Sequence, residues 1–291
     1  MLRLRASIDG TVAPYRGLGP SLWSMFAATM INRFGDFVSA FLALYLSRRL
    51  GFDPIKAGVV VAFAMGASAL GALASGRVAD CFGRKRCLIA CYLGAAAFDA
   101  AMGFLYGLDW APWLVVAANL FRGGVRPLIA ALITDLAPSE RRKEAFALQY
   151  WSINVGVALG PMLAALLFER ALPWLFRGDA ICAVIAAALI ARRVAPRRSP
   201  VEGTVPSGAV TERKALSPEA RDERGALKAF IARPILLAYC GLALLSSATY
   251  SQTNFTLPLT IAARMGEGSP GFFGAMISLN AITVLALSLL I

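Results

Sequence analysis

Apolar residues fall along the chain in blocks of about 20, the length of helix that crosses a hydrocarbon core of about 30 Å. Short polar and charged stretches separate these blocks. The pattern therefore predicts eight membrane-spanning helices and an all-α membrane protein. The predicted segments, numbered 1 to 8 in chain order, are 18–46, 57–75, 87–106, 111–136, 145–168, 173–191, 235–259 and 271–291.

Composition favours the membrane class over a soluble one. Of the 291 residues, 58% are apolar and the mean hydropathy is +0.65, whereas soluble domains have about 45–50% apolar residues. A soluble α/β protein with strongly apolar helices is the alternative. It is disfavoured because too many blocks reach spanning length.

The net charge of +12 comes from side chains that lie mostly between the apolar blocks. This placement favours contact with a membrane surface and argues against nucleic acid as a partner. With the predicted segments, 20 of the 29 Lys and Arg residues lie on the side of the N-terminus and 6 on the other side. The bias predicts a multi-pass protein of the cell (inner) membrane with a cytoplasmic N-terminus.

The residue types needed for common enzyme sites are scarce. The chain has no histidine, which excludes His-metal sites and Ser-His or Cys-His catalytic pairs. Its cysteines follow no disulfide or zinc spacing, and most of them lie in apolar runs. We therefore expect no enzyme activity, no bound metal and no cofactor. The five cysteines are Cys81, Cys87, Cys91, Cys182 and Cys240.

A long polar stretch divides the chain. Residues 195–210 are rich in Pro, Ser and Gly and indicate a flexible linker. Ser217 and Pro218 then supply an N-cap and a first helical residue for a short amphipathic helix on the membrane surface; continued disorder is the alternative. The predicted division is 1–191 (six helices), 192–233 (cytoplasmic linker) and 234–291 (start of a second half).

A weak internal repeat supports this division into halves. Arg49-Leu50-Gly51 is followed by Pro54-x-x-x-Gly58, and Arg264-Met265-Gly266 is followed by Pro270-x-x-x-Gly274. Repeats of this kind are common in secondary transporters. The repeat predicts a second half of six helices, of which the sequence contains the first two. The missing C-terminal helices would then be partners of this chain.

A charged motif lies between segments 2 and 3, where it predicts a loop that turns the chain outside the membrane. The string resembles the signature loop of the major facilitator superfamily. The resemblance implies a bundle of two six-helix halves, secondary active transport of a small molecule by alternating access, and a loop that latches the halves together. The motif residues are Gly76, Arg77, Asp80, Gly83, Arg84, Lys85 and Arg86.

Segment 5 contains Gly156-x-x-x-Gly160-Pro161. This string resembles the antiporter motif of drug-efflux members of the same superfamily, although Ala164 and Ala165 replace the family's next glycine pair. The resemblance implies proton-coupled efflux of a drug or metabolite. The alternative is that the glycines only allow close packing of helices.

Four charged side chains lie well inside segments 1 and 4, away from the segment ends, where charge is costly and often functional. Our hypothesis is that Asp36 carries a proton and that nearby arginines modulate it; the alternative is a permanent ion pair between the two segments. Asp99 and Asp179 lie in segments expected to be peripheral, so packing or loop roles are expected for them. The predicted cavity residues are Arg33, Asp36, Arg122 and Arg126, joined by Tyr250, Gln252 and Asn254 of segment 7.

These observations predict a proton-coupled efflux transporter whose partners are a small molecule, H+ and the lipid bilayer. Two alternatives remain open. The excess of buried arginines fits uptake of an anionic metabolite, and a membrane sensor or assembly protein would have no transport activity at all.

Overall fold

The computed structural model describes residues 15, 17–195 and 233–288, and all regular elements in these ranges are helical. Short turns of other helix types occur at Tyr45–Arg49, Ser139–Arg141 and Gly266–Gly268. The α-helices of the described ranges are α1 Pro20–Phe34, α2 Phe37–Leu44, α3 Pro54–Phe82, α4 Arg84–Leu105, α5 Pro112–Leu136, α6 Arg142–Arg170, α7 Leu172–Arg193, α8 Pro234–Ser251, α9 Thr256–Met265 and α10 Ser269–Ser288.

Six helical runs of the described chain are long and apolar enough to cross a membrane. Segments 2 to 6 correspond to α3 to α7, and segment 8 corresponds to α10. The all-α prediction is therefore confirmed. The linker and its amphipathic helix fall almost entirely outside the described residues.

The structure divides into two units, Met1–Pro196 with Asn254–Ile291, and Arg197–Thr253. In the first unit α3 packs along α5, α4 along α5 and α7, and α6 along α1 and α10. The described part of the second unit is essentially α8, an 18-residue apolar helix whose side chains are mostly exposed.

The prediction of one continuous helix for segment 1 is wrong. The helix stops at Phe34, and a new one begins at Phe37 after Gly35 and Asp36. A methyl group at Gly35 would lie 2.3 Å from Cβ of Cys182, so only glycine permits this approach of α7. Segment 7 is interrupted too, between Ser251 and Thr256.

The charged motif is not the loop that was predicted. Helix α3 continues to Phe82 and α4 begins at Arg84, so the turn consists of Gly83 alone, with φ +90°. The 29 residues of α3 span about 43 Å, which exceeds a hydrocarbon core of about 30 Å and lets the charged end stay helical outside it. Gly76, the first residue of the motif, lies inside the helix with open space beside it, so the chain does not turn there.

Glycines allow helices of the first unit to approach each other closely. A methyl group at Gly71 would lie 1.7 Å from the carbonyl oxygen of Leu120, and one at Gly123 would lie 1.8 Å from that of Ser68. Close backbone approach at small residues is a usual way for helices to associate in membranes. Helices α3 and α5 are therefore held in one fixed register.

Buried apolar side chains form two clusters, one toward each end of the first unit. The first contains Leu22, Leu88 and Leu132 with their neighbours, and the second contains Phe41 and Phe176 with theirs. The stretches of α1, α4, α5 and α7 between the two clusters contain the buried charges. The fold thus positions ionisable groups between two apolar cores.

Candidate functional site

An arginine of α5 joins two buried aspartates from different helices. One amino group of Arg122 donates to Asp99 Oδ2 of α4 and to Asp179 Oδ2 of α7, each at 2.6 Å. Asp99 is 0% exposed and Asp179 is 2% exposed. A buried carboxylate requires such a partner because removing it from water is costly.

This triad was missed by the sequence analysis, which placed Asp99 and Asp179 in peripheral roles. The reason is that α4, α5 and α7 meet only in the folded chain. One signal was available: Asp99 is the single charge within residues 87–106. A lone acid in an apolar span requires a partner, and the arginines of segment 4 were candidates.

Arg33 and Asp36 meet at the break between α1 and α2. Nη1 of Arg33 donates to Oδ2 of Asp36 at 3.0 Å, while Oδ1 of Asp36 is buried without a hydrogen-bond partner. Arg33 lies in the last turn of α1, which ends at Phe34, and Asp36 immediately precedes α2. Asp36 thus forms its ion pair within its own segment, whereas Arg122 pairs with aspartates of α4 and α7.

A small cavity of about 40 Å³ connects the pair with the triad. Its walls include three of the four predicted segment 1 and 4 residues, Arg33, Asp36 and Arg122, and also Asp179. The volume is enough for a water molecule. With Asp99, the groups around it comprise three carboxylates and two guanidinium groups, a set that we call the charge layer.

The fourth predicted residue, Arg126, lies on a larger neighbouring cavity of about 280 Å³. Arg33 lines this cavity too, so it stands between the two spaces. Gln149 of α6 is also on the wall, where its amide nitrogen donates to the hydroxyl of Thr29 at 3.2 Å. The structure therefore places two arginines from separate helices at one opening.

The segment 7 residues lie around the break between α8 and α9. Tyr250 is in the last turn of α8 and is 73% exposed, Gln252 follows that helix, and Asn254 is exposed in the turn. Tyr250 and Gln252 belong to the second unit and Asn254 to the first. Their assignment to the cavity stays a prediction.

The cations of the signature motif contact the ends of neighbouring helices. Arg84 pairs with Asp135 at 2.7 Å near the end of α5. Lys85 donates to the carbonyl oxygens of Ala191 at 2.9 Å and Val194 at 2.6 Å, at the end of α7. Cations are favourable there because terminal carbonyls lack helical partners. The motif thus ties α4 to α5 and α7.

Gly156 and Gly160 of α6 face the end of α1. A methyl group at Gly160 would lie 2.5 Å from the carbonyl oxygen of Phe34, and one at Gly156 would lie 2.7 Å from Cβ of Arg33. The carbonyl of the adjacent Pro161 approaches Gly274 of α10. These contacts fit close packing, the alternative interpretation of this motif, and the antiporter interpretation stays a prediction.

The chain belongs to the Major Facilitator Superfamily, whose sequence profile matches residues 25–291. It is therefore a multi-pass membrane protein of that family, in agreement with the sequence analysis. The solved structure of a mutant of the peptide transporter POT in complex with sulfate shares the fold, with a TM-score of 0.57 and 19% identity over 86% of this chain and 50% of that one.

Three relatives of similar sequence differ in the solute, if any, that their names give. The chain is 26% identical to the uncharacterized MFS-type transporter YqjV of Bacillus subtilis, over 94% of this chain and 64% of that protein. It is 31% identical to a Na(+), Li(+), K(+)/H(+) antiporter of Planococcus maritimus over 45% of this chain and 32% of the relative. It is 29% identical to the 4-hydroxybenzoate transporter PcaK of Pseudomonas putida over 43% and 28%. The chain thus spans less than two thirds of each relative.

Proposed function

We propose that this protein is a secondary active transporter that couples movement of a small anionic molecule to movement of protons by alternating access. The observation that supports proton coupling is the charge layer. Three carboxylates face two guanidinium groups between two apolar cores, so the layer is neutral only when one carboxylate holds a proton.

Asp36 is our proposed proton carrier. Its Oδ1 atom has no partner, as is also true of Asp99 Oδ1, so a proton at either atom displaces no hydrogen bond, and exposure distinguishes the two carboxyl groups. The side chain is 24% exposed and lines the small cavity, whereas Asp99 and Asp179 are almost fully enclosed against Arg122. Access is what a group needs if it is to exchange protons during each transport cycle.

The anionic nature of the substrate is supported by the larger cavity, which Arg33 and Arg126 both line. Arginine is well suited to carboxylate recognition because its planar fork donates two parallel hydrogen bonds. A relative named as a 4-hydroxybenzoate transporter is consistent with an acid substrate. Uptake by proton symport fits an anionic substrate best, because a proton that moves in the same direction neutralises the charge of the anion.

Efflux by proton antiport is the second candidate. The motif at Gly156, Gly160 and Pro161 supports it, together with the relative named as a cation/H(+) antiporter. In an antiporter the proton and the substrate compete for the site, whereas in a symporter they bind together. Protons therefore weaken substrate binding in an antiporter and strengthen it in a symporter, and this difference distinguishes the two candidate functions.

The test uses proteoliposomes that contain the complete gene product and a pH-sensitive dye. An imposed proton gradient should drive solute movement in the wild type, and Asp36→Asn should abolish it. Asp109→Asn, a change at an exposed aspartate in the turn before α5, is the matched control and should transport normally. Unchanged proton-driven flux in Asp36→Asn would reject the assignment. Binding of solute without any flux would instead favour a sensor.

A further inference from the structure

The larger cavity lies among α1, α4, α5 and α6, all within the first unit. Its volume of about 280 Å³ is at the lower end of the range for small-molecule sites, so it suits a compact ligand. Two guanidinium groups, from Arg33 and Arg126, supply its charge. The amides of Asn32 and Gln149 add polar groups that can orient a ligand.

A buried hydroxyl on the cavity wall lacks a partner. Tyr92 of α4 is 1% exposed and lines both cavities, and its hydroxyl makes no hydrogen bond. Buried hydroxyls are nearly always paired, because an unpaired one loses its hydration without replacement. A ligand that accepts a hydrogen bond in the cavity would satisfy Tyr92.

Aromatic side chains form another part of the wall. Phe146 and Tyr150 of α6, both exposed side chains, line the cavity together with the buried Ile129 and Ile133 of α5. Rings pack well against such walls in offset or edge-to-face geometry. The same cavity therefore offers cations, an unpaired hydroxyl and aromatic surface.

We propose that this cavity binds a monocarboxylate attached to a single aromatic ring, and that Arg33 couples its binding to protonation of Asp36. Arg33 and Arg126 hold the carboxylate, Tyr92 donates a hydrogen bond to it, and the ring packs against Phe146 and Tyr150. This inference rests on the proposed function and specifies its substrate class.

The coupling follows from the position of Arg33 between the cavities. When Asp36 is ionised, its Oδ2 accepts the hydrogen bond of Arg33 and competes with a ligand. A proton from solvent on the Asp36 carboxyl removes that competing charge. The guanidinium remains charged and donates to the ligand carboxylate instead. Proton and acid therefore bind together, and neither is consumed.

The other charges around Asp36 come from three helices. Arg122 of α5 and Asp179 of α7 line the same small cavity, and Asp99 of α4 is bound to Arg122. Tyr92 is the remaining titratable group on that wall. Arg122 donates to both carboxylates through Nη2, and its Nη1 is buried without a partner. Arg33 lines both cavities whereas Arg122 lines only the small one, so Arg33 is the cation that Asp36 and a ligand would share.

The first test is a comparison of ligands on the wild-type chain. Radiolabelled 4-hydroxybenzoate and its neutral analogue 4-hydroxybenzamide are measured by equilibrium dialysis against the full chain in lipid nanodiscs. We expect the acid to bind at least about tenfold more tightly than the amide, the effect of losing a charge-assisted hydrogen bond. Equal affinities, or no binding of the acid, would overturn the proposal.

The second test uses variants of the two arginines. Arg33→Gln and Arg126→Gln should each weaken 4-hydroxybenzoate binding by about tenfold or more, and Arg126→Lys should recover part of the loss. Arg170→Gln is the matched control, because Arg170 is exposed at the end of α6, about 30 Å along the helix from Tyr150. Wild-type affinity in both arginine variants would overturn the proposal.

The third test addresses coupling. Acidification should tighten binding to the wild type, while Asp36→Asn should bind tightly at every pH, because the amide mimics the protonated acid. A wild-type pH response in Asp36→Asn would overturn the role of Arg33. These binding results are separable from the proposed function: proton-driven flux of another solute without acid binding refutes only this inference, and acid binding without flux refutes only transport.

Discussion

The charged motif, residues 76–86, and the charge layer both concentrate charge, but in opposite surroundings. In the motif, Arg84 is 39% exposed in its pair with Asp135 and lies at helix ends that extend beyond the apolar core. In the layer, Arg122 is enclosed with two aspartates that are almost fully buried. Exposed ion pairs contribute little to stability, whereas breaking a buried one leaves an uncompensated charge.

The two regions also differ in how the amino-acid sequence encodes them. The motif is a continuous string, and its key conformation, the positive φ of Gly83, belongs to one residue. The layer brings together side chains from α1, α4, α5 and α7 and the break before α2. The first region marks the family, and the second is where chemistry specific to this protein is expected.

Removing Arg122 should have the largest effect. Arg122→Leu leaves Asp99 and Asp179 without their cation and should lower the free energy of unfolding by about 3–5 kcal/mol. Arg84→Leu should cost at most about 1 kcal/mol, because the pair with Asp135 is partly hydrated. Thermal unfolding of both variants in the same detergent measures the contrast.

A combined variant controls for the loss of packing at that position. Arg122→Leu with Asp99→Asn and Asp179→Asn removes all three charges and should recover most of the lost stability. If the single Arg122 variant were as stable as the Arg84 variant, the comparison between the two regions would fail.

The next effect concerns the helix contact that positions Arg33. Gly160→Ala places a methyl group against the carbonyl oxygen of Phe34, and the backbone there cannot move aside cheaply. We expect a loss of about 1–3 kcal/mol in stability by overpacking. Gly66→Ala in α3 is the control because nothing lies within 4 Å of its added methyl. Equal melting temperatures for the two variants would argue against close packing of α1 and α6.

The smallest expected change in stability distinguishes Gly83 from Gly76, the two glycines of the charged motif. Gly83→Ala should destabilise by about 1–2 kcal/mol, because an L-residue is strained at φ +90°. Gly76→Ala should be neutral or stabilise by about 0.5–1 kcal/mol, since Gly76 is in an open helical position. Chemical unfolding curves of the two variants give the difference. A larger loss at Gly76 than at Gly83 would contradict the open helical position of Gly76.

Hydrophobic periodicity predicted most helices well because each is a local property. Segment 4 was placed at 111–136 and α5 is Pro112–Leu136. The break at Gly35 escaped prediction because glycine fits both a helix and a break, and the choice depends on the contact with Cys182. The sequence analysis missed the helical part of the charged motif because it equates a dense run of charges with the end of a helix.

The candidate site was only partly predictable for the same physical reason. Arg33, Asp36 and Arg122 were singled out because buried charge is costly wherever it occurs, and the structure places them around one small cavity. The pairing of Arg122 with Asp99 and Asp179 depends on how α4, α5 and α7 pack. This packing is a property of the tertiary structure, so the pattern of residues within one segment could not predict the pairing.

Coupling of anion and proton movement through the charge layer is the central claim. Its most direct test is internal pH in proteoliposomes that contain the complete gene product, recorded after 4-hydroxybenzoate is added outside, with protein-free liposomes measuring passive entry. We predict acidification faster than in protein-free liposomes for the wild type and for Asp109→Asn, and only the passive rate for Asp36→Asn. Protein-dependent entry of 4-hydroxybenzoate without protein-dependent acidification would contradict the account.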